Sequence, residues 1–257
     1  MFYGKYKELL KKFNAISVAS DVDCEILKEY YEINKCVNVI DSIFLPNKKY
    51  WNTFINECEK DNVDEIVLYP LNNINRIETL SKVAKKMSVG MCKIATGNPF
   101  DCQKMMDDTI VLDNIEFENP PNKPMSFSGW LEKIYTCKYL MCADFYSLCF
   151  ALIFQKNFIV FKNEDDMRID FLIKKLGIED RVVENYELEK VVELFNTLIN
   201  WNDIKRKIIE CFEEINIYIE DYNIEDELSK YILDSFQFIS FVTSLENVFC
   251  IEISDDD

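Results

Sequence analysis

The sequence contains no histidine. That absence removes the one side chain whose ordinary pKa lies between pH 5 and 8, and with it imidazole acid–base chemistry near neutral pH. Positive charge is scarce as well: 29 Lys and Arg stand against 46 Asp and Glu in 257 residues, a formal net charge of −17. A phosphate backbone is bound by clustered Lys and Arg, so this charge argues against nucleic acid as a partner, and against an anionic membrane surface. No apolar run is long and uniform enough to span a bilayer, and the opening Met-Phe-Tyr-Gly-Lys-Tyr-Lys-Glu lacks a signal-peptide pattern. The ten cysteines include no Cys-x-x-Cys pair, and no histidine can complete a zinc site with them. Most lie inside apolar runs, as Cys142, Cys149 and Cys250 do, which predicts reduced, buried thiols in a cytoplasmic protein.

What is present is centred on residues 139–161, YLMCADFYSLCFALIFQKNFIVF. Tyr139 to Cys142 is a short apolar run, Ala143 and Asp144 break it, Phe145 to Phe154 is apolar on nearly every face, and Phe158 to Phe161 is apolar again. This pattern predicts strand, turn, buried helix, strand. In an open parallel sheet the functional groups sit where the C-terminal end of a strand turns into a helix, which singles out Asp144, Tyr146 and Ser147.

Elsewhere strands and helices alternate. Strands are expected at 14–19, 37–40, 65–69 and 89–95, with helices over 21–31, 48–59, 76–87 and 126–137, Asp21 and Ser126 being placed to cap two of them. On the helix over 21–31, Val22, Ile26, Leu27 and Tyr30 recur at helical spacing. Short connections between such elements predict an α/β fold, a doubly wound parallel sheet with right-handed crossovers. Residues 96–124 are the least regular part, with one expected strand at 109–113.

These residues resemble the polysaccharide pyruvyl transferases, in which a signature strand ends in Asp-Ser-Phe-His-Gly before a buried helix. Aligned on Phe145, this chain reads Ala143, Asp144, Phe145, Tyr146, Ser147, so that Tyr146 takes the histidine position. Ile16, Ser17 and Val18 match an earlier Ile-Ser-Val-Arg-Glu segment, Ala19 replaces its arginine, and Asp41 keeps the acid after the next strand. A Ser-x-x-x-Trp-Leu helix from Ser126 and the stretch Lys162 to Val183 match too. The resemblance covers residues 1–200 and implies a Rossmann-like sheet, half of a glycosyltransferase-B-like fold. It implies transfer of an enolpyruvyl unit from phosphoenolpyruvate to a glycan acceptor in surface-polysaccharide assembly, with the N-terminal half of such an enzyme missing.

Within that frame Arg168 is either the grip for a carboxylate or phosphate, for which guanidinium is suited, or the partner of Asp165, Asp166 or Asp170 in a salt bridge. Tyr146 is either part of the site or a helix-start residue that packs its ring. Gly177 is placed as a helix C-cap, and Arg181 as a surface partner of Glu179 or Glu184.

The tail differs in kind. From Asn202 to Asp257 the sequence holds 15 acidic and 4 basic residues, a net of −11. A helical face at Ile204, Ile208, Cys211, Phe212 and Ile215 is followed by a polar stretch, then by Leu233-Asp234-Ser235 and a second helix carrying Phe236, Ile239, Val242, Leu245 and Phe249. With Leu245-Glu246, Phe249 and Ile251-Glu252-Ile253, residues 202–257 resemble an all-α acyl carrier segment that ends before the last helices of that family. The resemblance implies 4′-phosphopantetheine on Ser235, where a phosphodiester would face the free N–H groups of a helix start. It implies a phosphopantetheinyl transferase and acyl-handling enzymes as partners. The alternative reading of the whole chain is a non-catalytic carrier or docking protein that presents Ser235; Asp234 and Ser235 as a plain helix cap remain the bland possibility.

Overall fold

The computed structural model describes residues 2–14, 16–44, 46, 48–55, 63–69, 74–93, 126–161, 166–183 and 187–214. In chain order the helices are α1 (Phe2–Leu10), α2 (Asp21–Tyr31), α3 (Lys48–Asn52), α4 (Ile74–Met87), α5 (Phe127–Thr136), α6 (Phe145–Ile153), α7 (Met167–Leu176), α8 (Leu188–Asn196) and α9 (Trp201–Glu213). The strands are β1 (Ile16–Val18), β2 (Cys36–Asn38), β3 (Val63–Tyr69), β4 (Gly90–Lys93), β5 (Cys137–Cys142), β6 (Asn157–Phe161) and β7 (Val182–Val183). The described residues fall into two compact units, one within Met1–Lys49, Asp170–Gly177 and Asn202–Asp257, the other within Tyr50–Ile169 and Ile178–Trp201.

The second unit is an α/β structure built on a five-stranded parallel sheet in the order β4-β3-β5-β6-β7. Its central strands are buried on both faces, which explains why they read as near-continuous apolar runs. Ile66, Leu68, Met141, Ala143, Ile159, Phe161 and Val183 point to one face, where Leu80, Val83 and Ala84 of α4 and Val191, Leu194 and Phe195 of α8 cover them. Helices α5 and α6 pack on each other and on β3, β5 and β6 without joining that cluster. Helix α6 buries eight of its nine residues, all but Tyr146, so its apolar composition reflects enclosure by neighbours rather than amphipathicity.

Arg181 departs from its expected surface role. It is buried, and its guanidinium donates to the Phe158 carbonyl oxygen, to Asn157 Oδ1 and to the Thr197 carbonyl oxygen. The turn at Glu179–Arg181 brings the side chain to the start of β6, where its bonds go to carbonyl and amide oxygens; Glu184 lies outside the described residues. Burial holds its pKa below the usual arginine value.

In the first unit β1 and β2 pair in parallel, with Ile16 opposite Cys36 and Val18 opposite Asn38, and α2 is the crossover between them. Ser20, not Asp21, caps α2. Its Oγ accepts from Asp23 N at 3.1 Å and donates to Asp23 Oδ2 at 2.6 Å, so the cap hydroxyl is tied to both the backbone and the side chain of Asp23. Asp21 instead accepts from Asn38 Nδ2. No residue of α2 is buried, and Val22, Ile26 and Tyr30 stay exposed, because two three-residue strands are too small to cover an eleven-residue helix. The helix ends at Glu32 in the left-handed region (φ 57°), and the Glu32 carboxylate pairs with Lys7 and Lys11, which hold its pKa below the usual range.

Ile204, Ile208, Cys211 and Phe212 of α9 are buried on one face, as their spacing predicts. Gly177 closes α7 at φ +62°, and Lys207 donates to the Leu176 carbonyl oxygen at 2.9 Å, a cation at the negative end of that helix. Among the described residues no helix is long and apolar enough to cross a membrane. The helix expected over 48–59 ends at Asn52, where the chain turns through residues 53–55; residues 56–59, the expected strand at 109–113 and the carrier-like segment from 215 onward lie outside the described residues.

Candidate functional site

From β3 the chain goes outward to β4 and then returns to place β5 on the other side of β3, after which β6 and β7 extend the sheet in that direction. The order therefore reverses between β3 and β5. In open parallel sheets the crevice beyond the C-terminal ends of the strands at such a reversal is the usual ligand position. Here the chain places Tyr69 at the end of β3 and Asp144 just beyond β5, and the N–H of the intervening Ala143 donates to the Tyr69 carbonyl oxygen at 2.9 Å. One strand further along, Asp166 and Arg168 open α7 after β6.

Asp144 is the N-cap of α6. Its Oδ1 accepts from the N–H of Tyr146 at 2.8 Å and of Ser147 at 3.1 Å, while Ser147 Oγ donates back to the Asp144 carbonyl oxygen at 2.9 Å. These bonds use two of the free donors of the first helical turn, which is why a strand ending in Ala-Asp turns into a helix at this point. The second carboxylate oxygen, Oδ2, is shielded from solvent and has no hydrogen-bond partner among the described residues.

Burial pushes the Asp144 carboxyl above its ordinary pKa, the bonds from Ser147 and Tyr146 pull the other way, and the negative charge of Asp166 adds to the rise. Tyr69 is moved upward too, by burial and then by the charge of Asp144. Asp166 moves in the opposite direction, held below the usual carboxylate range by its bonds to Arg168. Two carboxylates at one edge are thus driven apart in acidity, one toward keeping its proton and one toward losing it.

Among the described residues, Arg168 pairs with Asp166. Arg168 Nε lies 2.9 Å from Oδ1 and Nη2 2.8 Å from Oδ2, a two-pronged pair. The guanidinium also lies over two rings, 4.6 Å from the Phe145 centroid and 5.4 Å from that of Tyr146. Asp166 is the chief cause of the raised Arg168 pKa.

The structure therefore brings Asp144, Tyr146, Ser147 and Arg168 together. Tyr146 is exposed and its ring lies beside Arg168, whereas Ser147 is fully buried and serves the cap. Sequence reasoning missed Tyr69, for which the available signal was its position as the last residue of an apolar strand before Pro70. Ala19 and Asp41 belong to the other unit; Asp41 Oδ1 accepts from Ile43 N at 2.9 Å, a local turn bond. Ser235 lies outside the described residues.

Chemically, the edge offers a carboxyl whose pKa burial raises, two phenol hydroxyls able to donate hydrogen bonds, and a guanidinium already paired. No group of three or more metal-ligating side chains occurs among the described residues. No family model, no curated protein and no solved structure matches this chain.

Proposed function

We propose that the sheet unit is a pyruvyl-transferase-like, doubly wound Rossmann-type domain of a cytoplasmic glycan-assembly protein. In this reading it acts as a binding or docking platform, not as an independent pyruvyl transferase. The observation that carries the reading is the Arg168–Asp166 pair. Both nitrogens best placed to grip phosphoenolpyruvate already hold a carboxylate, at 2.9 and 2.8 Å. An incoming dianion must displace Asp166, whose lowered pKa keeps it charged at neutral pH.

Catalysis meets a second obstacle at Tyr146, which occupies the position of the family histidine. A phenol is a poor base at pH 7. The function then passes to the tail, in which Ser235 carries 4′-phosphopantetheine and the acidic surface is recognised by a phosphopantetheinyl transferase and acyl-handling enzymes through charge complementarity.

The test combines two readouts on the full chain. Incubation with coenzyme A and a broad-specificity phosphopantetheinyl transferase should add one phosphopantetheine by intact mass, and Ser235→Ala should add none. Incubation with phosphoenolpyruvate and saccharide acceptors should release no phosphate. Phosphate release lost in Arg168→Ala and Tyr146→Phe would overturn the platform reading in favour of an enzyme, and an unmodified wild type would overturn the carrier assignment.

A further inference from the structure

Two cysteines of the first unit, Cys24 and Cys36, differ from the other described cysteines. Of the seven described cysteines, Cys92, Cys137, Cys142, Cys149 and Cys211 are buried, whereas Cys24 and Cys36 are partly open to solvent. Cys24 lies on the first turns of α2 and Cys36 is the first residue of β2, so the crossover that connects β1 to β2 brings them together. Their sulfurs are 2.9 Å apart. A disulfide bond is about 2.05 Å long, so closure needs a sulfur movement of about 0.9 Å.

The surroundings hold this pair in place. Ser20 and Asp23 fix the first turn of α2, and Asp21 and Asn38 tie its start to the end of β2. The two thiols are thus brought together by the βαβ connection itself. Two sulfurs make an incomplete metal site, since no third Cys, Asp, Glu or His joins them among the described residues.

We propose that Cys24 and Cys36 form a redox-active dithiol that closes reversibly to a disulfide when the chain meets a peroxide. Burial, the Cys24 sulfur and the charge of Asp23 push the Cys36 thiol up to about 12, which disfavours Cys36 as the first nucleophile. The Cys24 thiolate attacks one oxygen of hydrogen peroxide, the O–O bond breaks, and hydroxide leaves; Cys24 becomes a sulfenic acid. The Cys36 sulfur then attacks the Cys24 sulfur, the S–O bond breaks, and the hydroxyl leaves as water with the Cys36 proton. Overall two thiols and one peroxide give one disulfide and two waters. A dithiol reductant reverses the change by thiol–disulfide exchange. In a reducing compartment such a bond is transient, which suits a sensor better than a structural staple.

The experiment uses the reduced full-length chain. After stoichiometric hydrogen peroxide, free thiols are blocked by alkylation, the chain is digested, and cross-linked peptides are identified by mass. The expected result is a Cys24–Cys36 cross-link with loss of two of the ten thiols and their full return with dithiothreitol. Cys36→Ser should instead accumulate a sulfenic acid on Cys24, trapped by dimedone. Cross-links confined to Cys58, Cys102 or Cys250, or a wild-type map in which Cys24 and Cys36 remain alkylatable, would overturn the proposal; the wild-type map decides it even if the variant fails to fold.

Discussion

Arg181 Nε and Nη2 both donate to the carbonyl oxygen of Phe158, at 3.0 and 2.7 Å, so one buried guanidinium is fixed to the first turns of β6. Nη2 also reaches Asn157 Oδ1 at 2.8 Å, and Nη1 the Thr197 carbonyl oxygen at 3.4 Å after α8. This knot lies at the N-terminal edge of the sheet, opposite the edge that carries Asp144, and its role is stability.

Arg181→Met should therefore destabilise the chain by roughly 2–4 kcal/mol, because it removes charge-assisted bonds and strands buried acceptors. Arg181→Lys should recover only part of this, since an ammonium cannot reproduce the planar fork. Urea unfolding measures both, and a loss under about 0.5 kcal/mol for the methionine variant would contradict the assignment.

Asp144 predicts a separation between its two substitutions. Asp144→Asn keeps an oxygen for the Tyr146 and Ser147 N–H groups and should leave stability at pH 7 unchanged or improved, whereas Asp144→Ala loses the cap and should cost about 1 kcal/mol. The sign of the pH effect follows from its raised pKa. Below the unfolded-state pKa both states are protonated and burial of the charge costs nothing. The penalty then grows as pH rises through the folded value, and is full above it. Stability profiles between pH 3 and 7 should show this falling component in the wild type and its absence in Asp144→Asn.

Asp166 has the opposite sign. Its pKa is lowered by Arg168, so the pair stabilises above the ordinary carboxylate pKa, and that stabilisation is lost as pH falls through the folded value. The side chain of Arg168 is 37% exposed, so solvent screening limits the loss in Asp166→Asn to about 0.5–1 kcal/mol. The same substitution releases both guanidinium nitrogens, and phosphoenolpyruvate binding measured by calorimetry should tighten by roughly tenfold, equivalent to about 1.4 kcal/mol. Unchanged binding would argue against anion recognition at this edge.

Gly177→Ala should cost about 1 kcal/mol. A side chain at φ +62° is strained, and the added Cβ would collide with Lys207 Nζ, forcing that ammonium away from the Leu176 carbonyl oxygen. Thermal unfolding of this variant and of Lys207→Met separates the two contributions.

The part of the fold that was legible in the sequence is local. The run from Tyr139 to Phe161 announced β5, α6 and β6 because strands and a helix buried on all sides must be apolar throughout, and Ala143 and Asp144 announced the break between the first two; the capping role of Asp144 came only with the structure. Gly177 was legible for the same reason: a left-handed helix end favours glycine. The pairing order was not, since nothing in Val63–Tyr69 says that its neighbours are β4 and β5. Ionic partners were also hidden. Arg168 had three acids within three residues and pairs with Asp166 among the described ones, whereas Arg181 stood beside acids and took carbonyl oxygens. The approach of Cys24 and Cys36 carried no motif, because a helix-to-strand crossing, not a sequence spacing, creates it.

The strand order also bears on how the chain is made. Strand β3 is the hinge of the sheet order, paired on one side with β4, close behind it, and on the other with β5, which begins roughly 70 residues after β3 ends. At ribosomal speeds of about 5–20 residues per second, the buried stretch Ile66-Val67-Leu68 waits roughly 3–14 s for its second neighbour. During synthesis one side of β3, a strand that ends up with a neighbour on each side, is therefore an open edge, available to a chaperone or to another nascent copy.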